Sequence, residues 1–329
     1  MRFAVIMLAI GLISTWTAQV SAQHYTIEKV REIPLDLGDE IVGLIADLAR
    51  DVEGHFYMPD WQQHTVWVTD PRGKLIRRFG QEGSGPGELS RPRSISVLED
   101  RIVVLDRDNA WISVFTKDGE SMATFRIDHS RPSGMAVGHD GQIVVSALVG
   151  ESLFTVYDSE GVKVNDGGSR PWPPPPGTMI MFSGPVQHLS LTPDGNILYC
   201  PVKRYEIQEM RWDGSIVATY TAEPTGYSPL VITSIESASE ELNKATRILR
   251  PLIVGNFVVV QRARNRGEPD EGSIFHLDLF ERDGTLVQMD IESPLSFIYA
   301  DGDDFYAIDT SPVEEGELNP SIVVYQLRN

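Results

Sequence analysis

The chain has 329 residues, of which 28 are Lys or Arg and 47 are Asp or Glu, and its formal net charge at pH 7 is −19. Binding to nucleic acid or to anionic lipid needs clustered basic residues, so this acidic balance predicts neither partner. Cys200 is the single cysteine, which excludes an intramolecular disulfide. We therefore expect the fold to be stable through its core alone.

The first 22 residues have the pattern of a secretory signal peptide. Arg2 gives a short positive region, an apolar run extends from Phe3 to Ile13, and small residues precede a cleavage site after Ala22. The run is too short to cross about 30 Å of hydrocarbon as a helix, and we expect no membrane span. With no cysteine for a lipid anchor at that site, we predict a signal peptide at 1–22, a mature domain at 23–329, and a periplasmic or secreted protein.

Two kinds of tight turn alternate along the predicted mature chain. The first kind comprises Glu53-Gly54, Glu99-Asp100, Asp140-Gly141, Asp194-Gly195, Gly255-Asn256 and Asp301-Gly302. The second kind comprises Arg72-Gly73, Asp118-Gly119, Glu160-Gly161, Asp213-Gly214 and Asp283-Gly284. Asp-Gly between alternating apolar residues is a strong hairpin signal, because the tight turns need positive φ. The second turn follows the first after 19 or 20 residues in four repeats, and after 29 in the fifth, which carries the insertion Arg262–Gly272.

This rhythm predicts an all-β fold, a six-bladed β-propeller of four-stranded antiparallel blades. The predicted blades are roughly 41–80, 87–127, 131–169, 184–223, 248–291 and 293–329. The sixth blade has only three strands of its own, while the segment His24–Leu35 reads as an isolated strand. We expect that N-terminal strand to complete the last blade and close the ring, which removes exposed sheet edges.

Four glycines, Gly80, Gly83, Gly85 and Gly87, lie between the first two blades. They could form a phosphate cradle or a sharp connection between blades. A phosphate-binding loop needs a following Lys and a Ser or Thr, and a dinucleotide fingerprint needs a further glycine where Glu88 stands. The glycines therefore favour the connection, where they let the chain turn sharply.

The second blade resembles the NHL-type repeat of six-bladed propellers. The matching features in "GSGPGELSRPRSISVLEDRIVVLDRDNAWISVFTKDG" are the G-x-G-P-G-E lead-in, the Pro before the inner strand, the apolar strand that ends at Asp106, and the closing I-x-V-F-x-x-D-G. Blades one and three match this repeat in part, and blades four to six match it only in the spacing of their turns. The whole chain is similar to bacterial exported six-bladed propellers.

In a propeller the innermost strands line an axial channel, and the loops opposite the tight hairpins surround its mouth. Seven positions before each first-kind turn stand Asp47, Arg93, Gly134, His188, Ile248 and Leu295. Three polar groups out of six, Asp47, Arg93 and His188, indicate a ligand site at the channel mouth. The alternative is a channel that is simply polar and filled with water.

The loops after the second strands supply further candidates, namely Asp60, Asp106, Arg204 and Arg262. The two aspartates hold the same place in their blades, and each could instead cap its own loop by accepting backbone N–H groups. If the arginines face the channel, they favour a carboxylate or phosphate ligand, because guanidinium binds such groups bidentately. Two long insertions, 169–184 and 226–250, would overhang the same face as lids, or would pack against the ring.

The predicted function is that of an exported, monomeric binding module that presents its loop-rich face to a small-molecule or protein ligand. The sequence has no G-x-S-x-G and no His-Glu-x-x-His motif, and we predict no cofactor. The alternative is a metal-dependent lyase or lactonase-type hydrolase, because some six-bladed relatives hold an axial metal. In this chain Asp47 and His188 would then hold Ca²⁺ or Zn²⁺. Arg93, Ile248 and Leu295 do not suit a cation, so we favour the binding module over the enzyme.

Overall fold

The computed structural model describes residues 24–128, 132–146, 152–169, 188–200, 205–229, 240–241, 244–265, 273–314 and 316–329. The predicted signal peptide lies outside these residues, as do Arg204 and most of both long insertions. Within them, no helix is long and apolar enough to span a membrane.

The described strands form six separate antiparallel sheets, each of which is one blade of a propeller. Blade 1 contains β2 (Ala49–Arg50), β3 (Phe56–Asp60), β4 (Thr65–Thr69) and β5 (Leu75–Phe79). Blade 2 contains β6 (Pro92–Val97), β7 (Arg101–Asp106), β8 (Trp111–Thr116) and β9 (Ser121–Arg126). Blade 3 contains β10 (Met135–Val137), β11 (Ile143–Ser146), β12 (Ser152–Tyr157) and β13 (Lys163–Ser169).

The second half of the chain repeats this order with two changes. Blade 4 contains β14 (His188–Leu191), β15 (Ile197–Cys200), β16 (Glu206–Met210) and β17 (Ile216–Thr221). Blade 5 has an inner strand divided into β18 (Arg247–Ile248) and β19 (Leu252–Val254), followed by β20 (Phe257–Asn265), β21 (Ser273–Glu281) and β22 (Leu286–Ser293). Blade 6 contains β23 (Tyr299–Asp301), β24 (Asp304–Asp309), a short helix α1 (Ser311–Glu314) in the following loop, and β25 (Ser321–Arg328).

The N-terminal strand closes the ring, as the sequence predicts. Strand β1 (Thr26–Pro34) pairs antiparallel with β25, from Thr26 opposite Arg328 to Pro34 opposite Ser321, and so becomes the outer strand of blade 6. Both ends of the described chain are thereby held in one sheet. The prediction of six four-stranded blades with a closing N-terminal strand is confirmed.

The described residues form six hydrophobic core clusters, and each cluster lies between two neighbouring blades. Between blades 1 and 2, for example, Tyr57 and Val66 pack with Ile102 and Phe115. Between blades 5 and 6, Leu277 packs with Phe305. Because burying a large apolar side chain contributes about 1.5–3 kcal/mol, these inter-blade clusters stabilise the ring without a disulfide.

The tight turns lie on one face of the ring and bring neighbouring blades into close contact. Gly161 in the outer hairpin of blade 3 has φ of +82°, and a Cβ on it would stand 2.2 Å from the Phe125 ring of blade 2. Glycine is therefore required there both by its backbone conformation and by the close approach. We call this side the hairpin face and the opposite side the loop-rich face.

The glycine loop between blades 1 and 2 is a connection and binds a carboxylate of its own chain. Gly85 N donates to Glu88 Oε2 at 2.7 Å, and that hydrogen bond lowers the pKa of Glu88 below its usual range. A Cβ on Gly83 would stand 2.0 Å from the same carboxylate oxygen. The space in which a phosphate cradle would hold its ligand is therefore filled by Glu88.

Candidate functional site

The axial channel has a small cavity at its loop-rich end, which we call the mouth cavity. It measures about 160 Å³ and is lined by Ala46, Arg93, Ser94, Ser133, Leu249, Arg250, Ser296, Phe297 and Ile298. These residues come from blades 1, 2, 3, 5 and 6, at the ends of their inner strands. The described lining contains two guanidinium groups and three hydroxyl groups but no carboxylate. Its hydrogen-bonding groups are thus suited to an acceptor with negative charge.

Asp47 follows the lining residue Ala46 in the chain and is bound to Arg250, which also lines the cavity. Arg250 Nη1 donates to Asp47 Oδ1 at 2.6 Å and Nη2 to Oδ2 at 3.1 Å, and the carboxylate also accepts the backbone N–H of Ile95 at 3.2 Å. Arg250 further donates to Ile298 O at 2.9 Å. This ion pair joins blades 1, 2, 5 and 6 around the axis. Asp47 is only 2% exposed, so it stabilises the ring and cannot contact a ligand while the pair is formed.

Arg93 is the other guanidinium of the mouth cavity, and none of the described ion pairs includes it. It is half-buried, and among the described residues no carboxylate lies within ion-pairing distance of it. Burial, followed by repulsion from Arg107, lowers the pKa of Arg93 from its usual value, and attraction to Asp47 only partly opposes this. Arg93 remains charged at neutral pH because its ordinary pKa is above 12. The cavity therefore contains a positive charge that the described residues compensate only weakly.

Trp61 gathers three arginines beside this cavity. The guanidinium carbons of Arg91, Arg93 and Arg107 lie 5.5, 5.6 and 5.1 Å from the centroid of the Trp61 ring. Cation–π attraction to the electron-rich face of the indole holds such groups in place. We call these four residues the Trp61 arginine group. Trp61 and Arg107 follow the second strands of blades 1 and 2, and Arg91 and Arg93 stand at the start of the inner strand of blade 2. All four residues therefore lie on the loop-rich face.

Asp60 and Asp106 end the second strands of blades 1 and 2 and act as loop caps. Asp60 is fully buried and accepts the backbone N–H groups of Gly43, at 2.7 Å, and Leu44, at 3.0 Å, as well as Trp67 Nε1 at 3.0 Å. Asp106 is also fully buried and accepts Ser90 N at 2.8 Å. Both carboxylates thus have the capping role that the sequence left open as the alternative to ligand binding.

Asp106 differs from an ordinary cap in its titration. Burial raises the pKa of Asp106 to about 6, although hydrogen bonds from Asn109 and Ser90 act in the opposite direction. No described cation is paired with this carboxylate. Its charge is therefore stabilised by hydrogen bonds alone.

Arg262 does not reach the channel mouth. It lies on β20 with its side chain 5% exposed, and it donates to Asp278 at 2.6 and 2.9 Å and to Asp290. Tyr205 donates its hydroxyl to the same Asp278 from blade 4. Burial opposes the charge of Arg262, but hydrogen bonds and attraction to these aspartates outweigh it and raise its pKa. We call these four residues the Arg262 cluster. Its arginine is already bound on both sides by carboxylates.

The remaining predicted site residues are placed only in part. The backbone of His188 begins β14 and pairs with Cys200, as expected for an inner strand, but its side chain lies outside the described residues, as does all of Arg204. The insertions 169–184 and 226–250 lie mostly outside them as well. Their roles as lids stay predictions.

Arg250 is the site residue that the sequence did not reveal. The turn register places Ile248 and Leu295 at the axis, but Ile248 is buried in the core between blades 4 and 5, and Leu295 packs on the core between blades 5 and 6. Pro251 cannot donate to the sheet, so the inner strand of blade 5 divides at this point and Arg250 turns into the channel. The Arg-Pro dipeptide within a predicted inner strand was the available signal.

The described residues do not fit a divalent cation at the axis. Both oxygens of Asp47 accept hydrogen bonds from Arg250. The two guanidinium groups of the mouth cavity would also repel a metal ion. Ca²⁺ and Zn²⁺ are bound by carboxylate oxygens or neutral imidazole, and neither is offered here by a described side chain that is not already bound.

A cluster on the hairpin face also has ligand-type side chains. Carboxylate and imidazole atoms of Asp51, Glu53 and His55 lie within 4.8 Å of one another. Asp51, however, accepts His55 N and Tyr57 Oη, each at 2.9 Å, and its carboxylate lies 3.5 Å from Lys117 Nζ. These contacts account for the cluster as a structural hairpin contact.

Comparison with known families gives a match that agrees with the architecture. A family model described as "6-bladed beta-propeller" matches residues 15–132, a segment that includes β1 and blades 1 and 2. A 45-residue segment is 51% identical to protein lin-41 of Caenorhabditis elegans, but it covers 13% of this chain and only 4% of that protein. The narrower resemblance to NHL-type repeats stays a prediction.

Solved structures share the fold over nearly the whole chain. A member of the DUF4221 family from Bacteroides vulgatus has a TM-score of 0.69 at 10% identity, with 94% of this chain and 99% of that chain covered. A Bacteroides fragilis protein named as exported has a TM-score of 0.65 at 14% identity, with 92% and 95% covered. A virginiamycin B lyase from Staphylococcus aureus has a TM-score of 0.51 at 14% identity, with 92% and 99% covered. At these identities the similarity extends to the fold alone.

Proposed function

We propose that this chain is an exported binding module that takes up a small anionic ligand at the mouth of its axial channel. The observation that carries the proposal is Arg93, a half-buried guanidinium that lines the mouth cavity and has no carboxylate partner among the described residues. A buried charge without a partner is costly, and it is retained where a ligand supplies the opposite charge.

The size and lining of the cavity also support a small anionic ligand. Its volume of about 160 Å³ matches one small functional group, such as a carboxylate or phosphate, better than a whole drug-sized ligand. The hydroxyl groups of Ser94 and Ser296 stand beside Arg93 and can donate to the oxygens of such a group. Guanidinium binds these oxygens bidentately, which favours Arg93 as the anchoring residue.

The proposal of export rests on the pattern of residues 1–22 and on the similarity in fold to the exported Bacteroides fragilis protein. A secreted or periplasmic location agrees with a domain that is stabilised by six inter-blade cores rather than by disulfides. Cell fractionation of a tagged full-length chain tests this part. Recovery of the uncleaved protein in the cytoplasm would contradict it.

Binding is tested by calorimetric titration of the purified protein with acetate, butyrate and inorganic phosphate at low ionic strength. We expect saturable binding of at least one of these anions, and at least tenfold weaker binding by Arg93→Ala, which corresponds to about 1.4 kcal/mol. Arg72→Ala is the matched control, because it removes the same charge from an 88% exposed side chain on the hairpin face. Equal affinities of the two variants, or no saturable binding of any of the three anions, would overturn the proposal.

The alternative function, a metal-dependent lyase or lactonase-type hydrolase, would require Asp47 to leave Arg250 and bind Ca²⁺ or Zn²⁺ together with His188. Metal analysis of the purified protein tests it directly. A stoichiometric divalent ion that is lost in both Asp47→Asn and His188→Ala would favour the enzyme over the anion-binding module.

A further inference from the structure

Exposed apolar side chains gather on the loop-rich face where blade 6 meets blade 1. They are Ile41, Leu44, Val313 and Leu318, with exposed fractions of 58%, 53%, 43% and 53%, and we call them the apolar patch. Two belong to the connection between β1 and β2, and two to the loop between β24 and β25. Most of the other described apolar side chains with such exposure belong to outer strands or hairpins, so the patch is a separate feature of this face.

A buried asparagine holds the two loops of the patch together. Val42 N donates to Asn319 Oδ1 at 2.9 Å, and Asn319 Nδ2 donates to Glu40 O at 3.1 Å. These bonds flank Ile41 on one loop and stand next to Leu318 on the other. The two side chains are therefore presented side by side by chain segments that are distant in sequence.

The other two members of the patch are also fixed by backbone hydrogen bonds. Leu44 N donates to the buried Asp60 carboxylate at 3.0 Å, and Leu44 O accepts Trp61 N at 2.9 Å. Val313 lies in α1, where its N–H donates to Thr310 O at 3.0 Å. Apolar side chains on loops that are ordered in this way lose little conformational entropy when they are covered. Exposed apolar patches with a polar rim mark interaction sites.

The rim of the patch is acidic. The segments 36–47 and 309–320 contain no Lys, Arg or His. Asp39, Glu314 and Glu317 are exposed there, and none of the described ion pairs includes them. Glu40 is paired with Arg78 at 3.2 Å. An occupant of the patch therefore meets negative charge around the apolar surface.

This rim distinguishes between possible occupants. An anionic lipid surface would be repelled by the carboxylates, as would a second copy of this chain, which has the same rim and a net charge of −19. A protein segment with lysine or arginine beside its apolar residues would be attracted, and its charges would fix its orientation on the patch.

We infer that the apolar patch is a docking surface for a protein partner that presents a strip of apolar side chains flanked by lysine or arginine. The inference is independent of anion binding, because the patch shares no residue with the mouth cavity.

Three model peptides of equal length test the required chemistry by fluorescence anisotropy with the purified full chain. The first has leucine on one helical face and lysine on the other, the second replaces leucine by alanine, and the third replaces lysine by glutamate. We expect saturable one-to-one binding of the leucine–lysine peptide. The alanine–lysine and leucine–glutamate peptides should each bind at least tenfold more weakly.

The apolar contact is tested with Ile41→Ser/Leu318→Ser. We expect the variant to bind the leucine–lysine peptide at least tenfold more weakly than wild type, which corresponds to about 1.4 kcal/mol. Val52→Ser/Val162→Ser is the matched control, because it removes two apolar side chains that are 94% and 60% exposed in hairpin turns. All four substituted side chains are exposed, so both variants should melt close to wild type, and the control should bind as wild type does.

The acidic rim is tested with Glu314→Gln/Glu317→Gln, which should bind the same peptide about threefold more weakly at low ionic strength. Glu53→Gln/Glu160→Gln makes the same change in net charge on the hairpin face, where both glutamates are exposed. Its affinity should stay within about 1.5-fold of wild type, because screening limits distant charges. Equal losses in the two variants would mean that net charge alone attracts the peptide, which overturns the inference.

Three further outcomes would also overturn it. The first is no saturable binding of the leucine–lysine peptide, or equal binding by Ile41→Ser/Leu318→Ser and its control. The second is a concentration-dependent dimer in sedimentation velocity that this variant abolishes, since a second copy then covers the patch. The third is binding of phosphatidylcholine vesicles that the same variant abolishes. None of these results affects the titrations with acetate, butyrate and phosphate, so the proposed function fails or stands separately.

Discussion

Arg262 and Arg93 both bring a guanidinium into the interior of the ring, but their surroundings differ. Arg262 is held by Asp278 and Asp290, and Tyr205 completes the hydrogen bonding of Asp278. Among the described residues Arg93 has no ion pair; it lies over the Trp61 ring and is repelled by Arg107 and Arg250, with Asp47 opposing that repulsion. The direction of the pKa shift reflects this contrast, since the pKa of Arg262 is raised and that of Arg93 is lowered.

The two arginines show how a charge that stabilises the fold differs from one that is available to a ligand under the proposed function. In the Arg262 cluster the protein supplies the counter-charge itself, and the group joins blades 4 and 5. In the mouth cavity no described carboxylate pairs with Arg93, and under the proposed function a ligand provides the opposite charge. Stability should therefore depend on Arg262, and binding should depend on Arg93.

The largest expected effect is that of Arg262→Ala on stability. Removing the cation leaves Asp278, which is fully buried, without its charge partner, and breaking one side of a buried ion pair costs about 3–5 kcal/mol. Urea unfolding measures the loss. Arg328→Ala is the control, because its ion pair with Glu28 is 49% and 62% exposed and should contribute less than about 1 kcal/mol. A stability loss below about 1 kcal/mol for Arg262→Ala would contradict the structural role of Arg262. Weaker anion binding by the folded variant would show that Arg262 also contributes to binding.

The second effect concerns Asp106, a buried carboxylate held by hydrogen bonds alone. Its pKa of about 6 in the folded protein is above the usual value of 3.8, so the folded state binds this proton more tightly than the unfolded state. The free energy of unfolding should therefore rise as pH falls from 6 towards 4, and this contribution is lost above pH 6. The shift corresponds to about 2–3 kcal/mol.

Asp106→Asn tests this assignment, because it cannot titrate. Urea unfolding of wild type and variant between pH 4 and pH 8 should give curves whose difference changes across the window from pH 4 to pH 6 and is flat above it. Other carboxylates titrate equally in both proteins and cancel. Parallel curves over the whole range would mean that Asp106 does not have the raised pKa.

Asp47→Asn should have the smallest effect on stability of the three variants, and it tests the mouth cavity most directly. The neutral amide can still accept the N–H of Ile95 but loses the charge that holds Arg250, and we expect a loss of about 1–2 kcal/mol in stability. The cavity becomes more positive, so an anion such as succinate should bind about 3–10-fold more tightly. Calorimetric titration checks the second effect. Weaker binding instead would show that Asp47 contacts the ligand, as the sequence had suggested.

Several residues of the candidate site could be predicted from the sequence, but the contacts between them could not. Asp47 and Arg93 were predicted at the axis from the turn register; the structure places Arg93 in the lining of the mouth cavity and pairs Asp47 with Arg250. The same register failed in blade 5, because Pro251 divides the inner strand and brings Arg250 to the position predicted for Ile248. Arg262 was a reasonable ligand candidate from its charge alone, but a carboxylate from the neighbouring strand, Asp278, pairs with it.

The number of blades, the positions of the hairpins and the closure of the ring could all be predicted from the amino-acid sequence. These follow from local chemistry: positive φ at Asp-Gly turns, alternation of apolar residues, and a repeat whose missing strand stands at the other end of the chain. The tertiary structure decided which charges are compensated. Asp47 and its partner Arg250 are distant in sequence. Trp61 belongs to a different blade from Arg93 and Arg107. Only the packing of the blades brings these residues within contact distance.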